Sequence, residues 1–195
     1  MTQRFDGHIV GLGTTSGTRV VVGIWDRSPL GSFADAMVEH PDGRRLLLAP
    51  DDRVAELVST TYTFDEVQVV PVEVDGWSIA AGPLRARWTP GRRAPVGWAL
   101  RAVPRPLGRR EAWARVCDPI ARRLVPGVRT HGSAGHGRTE WYAASDAWHV
   151  AAATLTWDGG DLGPLAPVDP PVRFGFASAP RTPTLTRVSS FIREG

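Results

Sequence analysis

Short runs rich in Val and Ile recur along this chain between turn-forming residues, and that punctuation leaves room for little but a strongly curved antiparallel sheet. Residues 4–12 and 19–25 are separated by Gly13-Thr14-Thr15-Ser16-Gly17, and 33–40 and 44–49 by Pro41-Asp42-Gly43, both hairpin signals. The period then changes. Val54, Leu57 and Val58 follow Pro50-Asp51-Asp52 at helical spacing, behind acidic residues that suit a helix N-terminus, and predict a short helix over 51–60. Strand character resumes at 66–74, where Pro71 marks an edge or a bulge. It continues through the Asp75-Gly76 turn into 77–81, 84–88 and 95–102.

A second helical region is predicted over 109–124. Trp113, Val116, Ile120 and Leu124 form an apolar stripe there, five arginines lie mostly off it, and Asp118-Pro119 predicts two abutting helices. Beyond a glycine-rich loop at 131–137, residues 140–157 read as one long strand or a hairpin. A proline-rich crossing at 163–171 leads to strands at 172–177 and 185–192. About ten strands and two short helical regions, without a linker or a repeat, predict one α+β domain spanning 1–195. Its architecture is expected to be a mostly antiparallel β-barrel or strongly wrapped sheet.

Composition limits the chemistry. All 23 basic residues are arginine, and the chain has neither lysine nor asparagine, a codon bias that points to a GC-rich bacterial genome. Without a side-chain ammonium there is no Schiff-base amine and no P-loop lysine. The single cysteine, Cys117, excludes an internal disulfide and a zinc ribbon. A net charge of +3 over 195 residues is small, so a mixed, solvated surface is expected rather than a phosphate-binding face. No apolar run reaches the length of a membrane helix, and Met1-Thr2-Gln3-Arg4-Phe5-Asp6 lacks a secretory apolar core, so a cytoplasmic location away from membranes is expected.

Gly11-Leu12-Gly13-Thr14-Thr15-Ser16 begins like a dinucleotide fingerprint, but a strand follows it, and no helix N-terminus would face a pyrophosphate. The richest polar stretch is 129–142. There Arg129, His131, His136, Arg138, Glu140 and Tyr142 fall within fourteen residues, among glycines whose backbone N–H groups can converge on an anion. An anionic small molecule suits this stretch. His131 and His136 are five residues apart with no helix to align them, and a third ligand would have to come from Glu140 or His149, so no metal site and no cofactor are expected. His149, in the strand segment Ala147-Trp148-His149-Val150-Ala151, reads as structural. The eight tryptophans are abundant for this length, and several are expected to line the core or a pocket.

Ser28-Pro29-Leu30-Gly31-Ser32-Phe33-Ala34-Asp35 resembles the Gly-x-aromatic-x-acid segment of acetoacetate decarboxylase-like proteins. A strand, a short helix at 51–60 and a hairpin from Val67 to Trp88 follow in similar order. Leu165-Ala166-Pro167-Val168-Asp169-Pro170-Pro171-Val172 resembles that family's crossing before its last strands. The resemblance implies a cone-like β-barrel with an internal pocket for small oxo-acids, with Asp35 at the acid position and Phe33 beside it. Decarboxylases of the family carry a Schiff-base lysine just after the short helix. The matching segment here, Ser59-Thr60-Thr61-Tyr62-Thr63-Phe64, has none, so that reaction is closed to this chain.

Three readings follow. The first is a small-molecule-binding barrel, a lysine-independent lyase or decarboxylase-like enzyme acting on a small carboxylated or carbonyl compound. Asp35, His131, His136 and Glu140 would do its acid/base work, and Phe33, Tyr62, Arg129, Arg138 and Tyr142 would bind the substrate. The second is a non-catalytic ligand-binding or protein-interaction module whose tryptophans form an apolar pocket. The third is nucleic-acid binding through the arginine-rich segment 105–123; no basic-aromatic repeat like an RNA-recognition strand accompanies it, and nucleic acid is not the expected partner. The sequence leaves a homo-oligomer open.

Overall fold

The computed structural model describes every residue except Pro126, together with all side chains but that of Leu124. Strands β1 (Thr2–Thr14), β2 (Arg19–Arg27), β3 (Phe33–Glu39) and β4 (Arg45–Ala49) form consecutive antiparallel hairpins. Helix α1 (Asp52–Thr61) crosses over to β5 (Glu66–Val69), which pairs parallel to β4. Then come β6 (Val72–Val74), β7 (Ser78–Ala81) and β8 (Leu84–Arg93), followed by the helices α2 (Pro95–Ala102), α3 (Arg105–Gly108) and α4 (Glu111–Leu124). The chain ends with β9 (His131–Ser133), the 3-10 turn Gly135–Gly137, β10 (Thr139–Trp157), β11 (Gly160–Asp161), β12 (Leu165–Ala166) and β13 (Thr184–Arg193). Among the described residues no helix is long and apolar enough to cross a membrane.

These strands make one sheet in the order β5-β4-β3-β2-β1-β13-β10-β8-β7-β6, curled into an open half-barrel. The last long strand, β13, lies between β1 and β10 and so joins the first four strands to the later ones. Curvature comes from bulges. The register shifts between Asp6 and Gly7 in β1 and at three places in β10, and each bulge raises the local right-handed twist.

The curl closes on an apolar core drawn from both ends of the sheet. Val38 of β3 and Leu46 of β4 join Ile79 and Ala81 of β7, Leu84 of β8 and Leu155 of β10 in one cluster. Alternation along β1 sends Val10 and Leu12 into that core and leaves Ile9 and Gly11 on the other face. There α1 covers β4: Val54, Ala55 and Val58 pack on Leu47 and Ala49, and Asp51 caps the helix by accepting the Val54 N–H at 2.9 Å. The rest of that face is roofed by the segment 168–180, whose Val168, Val172 and Phe174 pack on Val21. Glu39, wholly buried, anchors this roof. Its carboxylate accepts the backbone N–H of Arg173 at 2.8 Å and its Nε at 3.0 Å, and pairs with Arg19 at 3.4 Å.

The α+β class, the antiparallel wrapping and the long final strands agree with expectation, and 140–157 is a single strand. Four details differ. Residues 95–102 form α2 rather than a strand, because Pro95 opens a helical turn and Ala99, Leu100, Arg101 and Ala102 are good helix formers. Helix α4 runs unbroken through Pro119: Asp118 does not cap a second helix but accepts the backbone N–H groups of Thr130 at 2.8 Å and His131 at 3.4 Å. Its expected stripe does not face the sheet, since Ala114 and Asp118 are buried while Val116 and Ile120 are 62% and 56% exposed; the Leu124 side chain lies outside the described residues. Residues 172–177 are not a strand, for the Arg173 N–H is taken by the Glu39 carboxylate instead of a ladder. Thirteen strands are present among the described residues, because 66–74 divides into β5 and β6 at opposite ends of the sheet and the short pieces β9, β11 and β12 are added.

Candidate functional site

Between the sheet and its roof lies a cavity of about 190 Å3, walled by β1, β2, β3, β10 and β13 and covered by α1 and residues 172–180. It occupies the face of the sheet opposite the half-barrel core, and the space enclosed by the curl is filled with apolar side chains. Its walls are chiefly apolar, among them Phe5, Ile9, Val21, Phe33, Val188 and Phe174.

Asp35 stands in this wall, 3% exposed, on the central part of β3. Trp25 Nε1 donates to its Oδ1 at 3.3 Å, and no ion pair reaches it among the described residues. Burial in apolar surroundings pushes its pKa up to about 7, and the indole hydrogen bond offsets this only in part. Local sequence makes the arrangement possible. Asp35 pairs with Gly23 across the hairpin, and a Cβ at Gly23 would fall 2.7 Å from Trp25 Nε1 and 2.8 Å from Asp35 Oδ1. The missing side chain is the room in which indole and carboxyl meet. Phe5 and Phe33 hold the indole, with ring centroids at 5.9 Å and 6.5 Å.

A second polar group lies on β10 and β13. Glu140, also fully buried, accepts the hydroxyls of Tyr62 at 2.7 Å and Ser190 at 2.8 Å, both on Oε1, while Oε2 is buried with no hydrogen-bond partner. Tyr62 and Tyr142 hydroxyls lie 2.9 Å apart. Burial pushes the Glu140 carboxyl up despite these hydrogen bonds. Burial, then the neighbouring Glu140, pushes both tyrosines well above the usual phenol range. Gly175 admits the Tyr62 ring, which a Cβ would approach to 2.7 Å. Arg129 lines the cavity here. Its Nη2 reaches Asp118 and the His131 carbonyl at 3.5 Å, its guanidinium lies 5.9 Å from the Phe176 ring, and its Nε is buried without a partner.

Of the residues singled out from sequence, Asp35, Phe33, Tyr62, Arg129, Glu140 and Tyr142 line the cavity. His131, His136 and Arg138 do not. His131 pairs in register with Trp141, one residue out of step with Glu140 and Tyr142, so it faces α4, where its Nε2 lies 3.1 Å from Glu111. His136 is exposed at a positive φ of 59°. Arg138 staples the 3-10 turn to α1, donating to the carbonyls of Gly135 at 3.0 Å and Thr60 at 2.5 Å. Among the described residues Trp25 is the one tryptophan that lines the cavity; Trp88, Trp148 and Trp157 pack in or against the half-barrel core. Trp25, Gly23 and Ser190 were not singled out in advance. The register of the β2–β3 hairpin, which sets Trp25 opposite Phe33 and Gly23 opposite Asp35, was the signal that could have found the first two.

Among the described residues no group of three His, Cys, Asp or Glu side chains is placed to hold a metal ion. In the arginine-rich segment Arg115 pairs with Glu111, and Arg122 with Asp118, within α4. Comparisons with protein-family models, curated proteins and solved structures return no match to this chain.

Proposed function

We propose that this chain binds a small carboxylated or carbonyl compound in the cavity and that Asp35 moves a proton on it, a lysine-independent relative of the acetoacetate decarboxylase-like barrels. The observation that carries this reading is the Asp35 carboxyl: buried in an apolar wall, free of any ion pair among the described residues, and poised about 7. Near neutral pH such a group is present in both forms. As carboxylate it takes a proton from the carbon beside a carbonyl, the electron pair moving onto the carbonyl oxygen. As acid it returns that proton. Arg129 supplies a guanidinium donor for a ligand carboxylate, and Tyr62 and Tyr142 bring hydroxyls to the same region.

The largely apolar lining favours a second reading, a ligand-binding module without turnover. One pair of measurements separates the two. Trp25 lies in the cavity wall, so its fluorescence is expected to change as an oxo-acid binds. Asp35→Asn should retain that binding and abolish proton exchange at the ligand carbon, followed in heavy water. Exchange unaffected by Asp35→Asn removes Asp35 from the chemistry, and no exchange in the parent protein leaves the binding module.

A further inference from the structure

The two polar ends of the cavity lie far apart on the sheet. Asp35 is in register with Gly23, Gly23 with Ile9, Ile9 with Thr186, and Thr186 with Ala147 of β10. Glu140 pairs instead with Ile192, six residues along β13 from Thr186. Asp35 and Glu140 are therefore separated by four inter-strand steps and six residues of strand, on the order of 20 Å in each direction measured along the sheet. Both groups line the same cavity of about 190 Å3, which therefore extends along the sheet from one to the other.

The ends differ in chemistry. At the β10 end Arg129 Nε and Glu140 Oε2 are both buried without a partner, a donor and a carboxyl oxygen that protein groups leave unused. At the β3 end Asp35 has only the Trp25 indole. Phe5, Ile9, Val21 and Val188 are among the apolar residues of the wall.

From this placement we infer that the ligand is an unbranched oxo-acid whose carbonyl is remote from its carboxylate, the carboxylate at Arg129, the carbonyl at Asp35, and an apolar methylene span between them. The inference rests on the proposed reading of the cavity as a carboxylate and carbonyl site, and it deepens that reading. A 3-oxo acid, with a single carbon between the two groups, reaches one end only. The chemistry at Asp35 is then proton transfer beside the distant carbonyl, and the carboxylate is retained as an anchor.

Isothermal titration calorimetry on the full chain tests this with two series of acids matched in carbon number. One carries the oxo group next to the terminal methyl, starting from levulinate and lengthened one methylene at a time. The other carries it at the third carbon. In the first series affinity should rise about fourfold per added methylene until the span is filled, and then fall. Within a matched pair of sufficient length the remote-oxo isomer should bind at least about tenfold more tightly, a preference that Arg129→Gln reduces. Val188→Phe, which narrows the cavity, should weaken long members and spare short ones. Equal affinity within matched pairs overturns the inference and leaves the binding reading standing. No binding by either series overturns both.

Discussion

The Trp25 indole N–H meets the Asp35 carboxyl at 3.3 Å across a glycine, and it is the one side-chain hydrogen bond made to that carboxyl among the described residues. A single neutral donor does not compensate a buried charge. The carboxyl is therefore held near its neutral form at a pH where a solvated aspartate is fully ionised.

Stability should record this. The folded pKa, about 7, lies above the ordinary aspartate value of 3.8, so between these limits the native state keeps a proton that the unfolded chain has lost. Stability contributed by the neutral carboxyl is complete below the lower value and lost as pH rises through the upper one. Between about pH 3 and about pH 8 the balance should shift in favour of Asp35→Asn by on the order of 4 kcal/mol relative to the parent. Urea unfolding of both proteins across that range is the measurement, and parallel profiles would show that Asp35 is not the group described.

Gly23→Ala should displace either the indole or the carboxyl, because the new methyl would sit under 3 Å from both. Ligand affinity should fall about tenfold or more as the wall is rearranged. Trp25 fluorescence reports the displacement directly; an unchanged spectrum with unchanged affinity would contradict the close fit.

Glu39 ties the cavity roof to the sheet and neutralises Arg19, itself 3% exposed. Glu39→Ala leaves that guanidinium buried and unpaired, with an expected loss of about 3–5 kcal/mol in denaturant unfolding. Residues 172–174 should become more open to hydrogen exchange, with ligand binding weakened in parallel.

Tyr62→Phe removes the hydroxyl that links Glu140 to Tyr142. The buried carboxyl then loses its Tyr62 donor while Ser190 stays bound to it, and a loss of about 1–3 kcal/mol is expected. A loss near zero in thermal or urea unfolding would mean that water replaces the phenol.

The half of the site that the sequence made legible is the half governed by alternation. Phe33 and Asp35, or Glu140 and Tyr142, differ by two positions on one strand and must share a face, whatever the rest of the chain does. The histidines of 131–137 carried no such constraint. Polar density in a loop does not say which way the loop turns, and the pairing of His131 with Trp141 sends it to α4. The roof was equally hidden, because Arg173 is placed by a carboxylate 134 positions away in the chain, a contact with no local signature. Residues 95–102 misled through their mix of Val, Trp and Leu, where Pro95 and the turn it starts decide for helix.

The most direct test of the account is the titration of Asp35 itself, followed by the carbon-13 shift of its carboxyl in the parent protein with Asp35→Asn to assign the signal. The expected midpoint is about 7, moving when an oxo-acid fills the cavity. A midpoint near the 3.8 of an ordinary aspartate would contradict the account, for it would mean that water or a cation reaches the carboxyl and that the wall holds no poised acid.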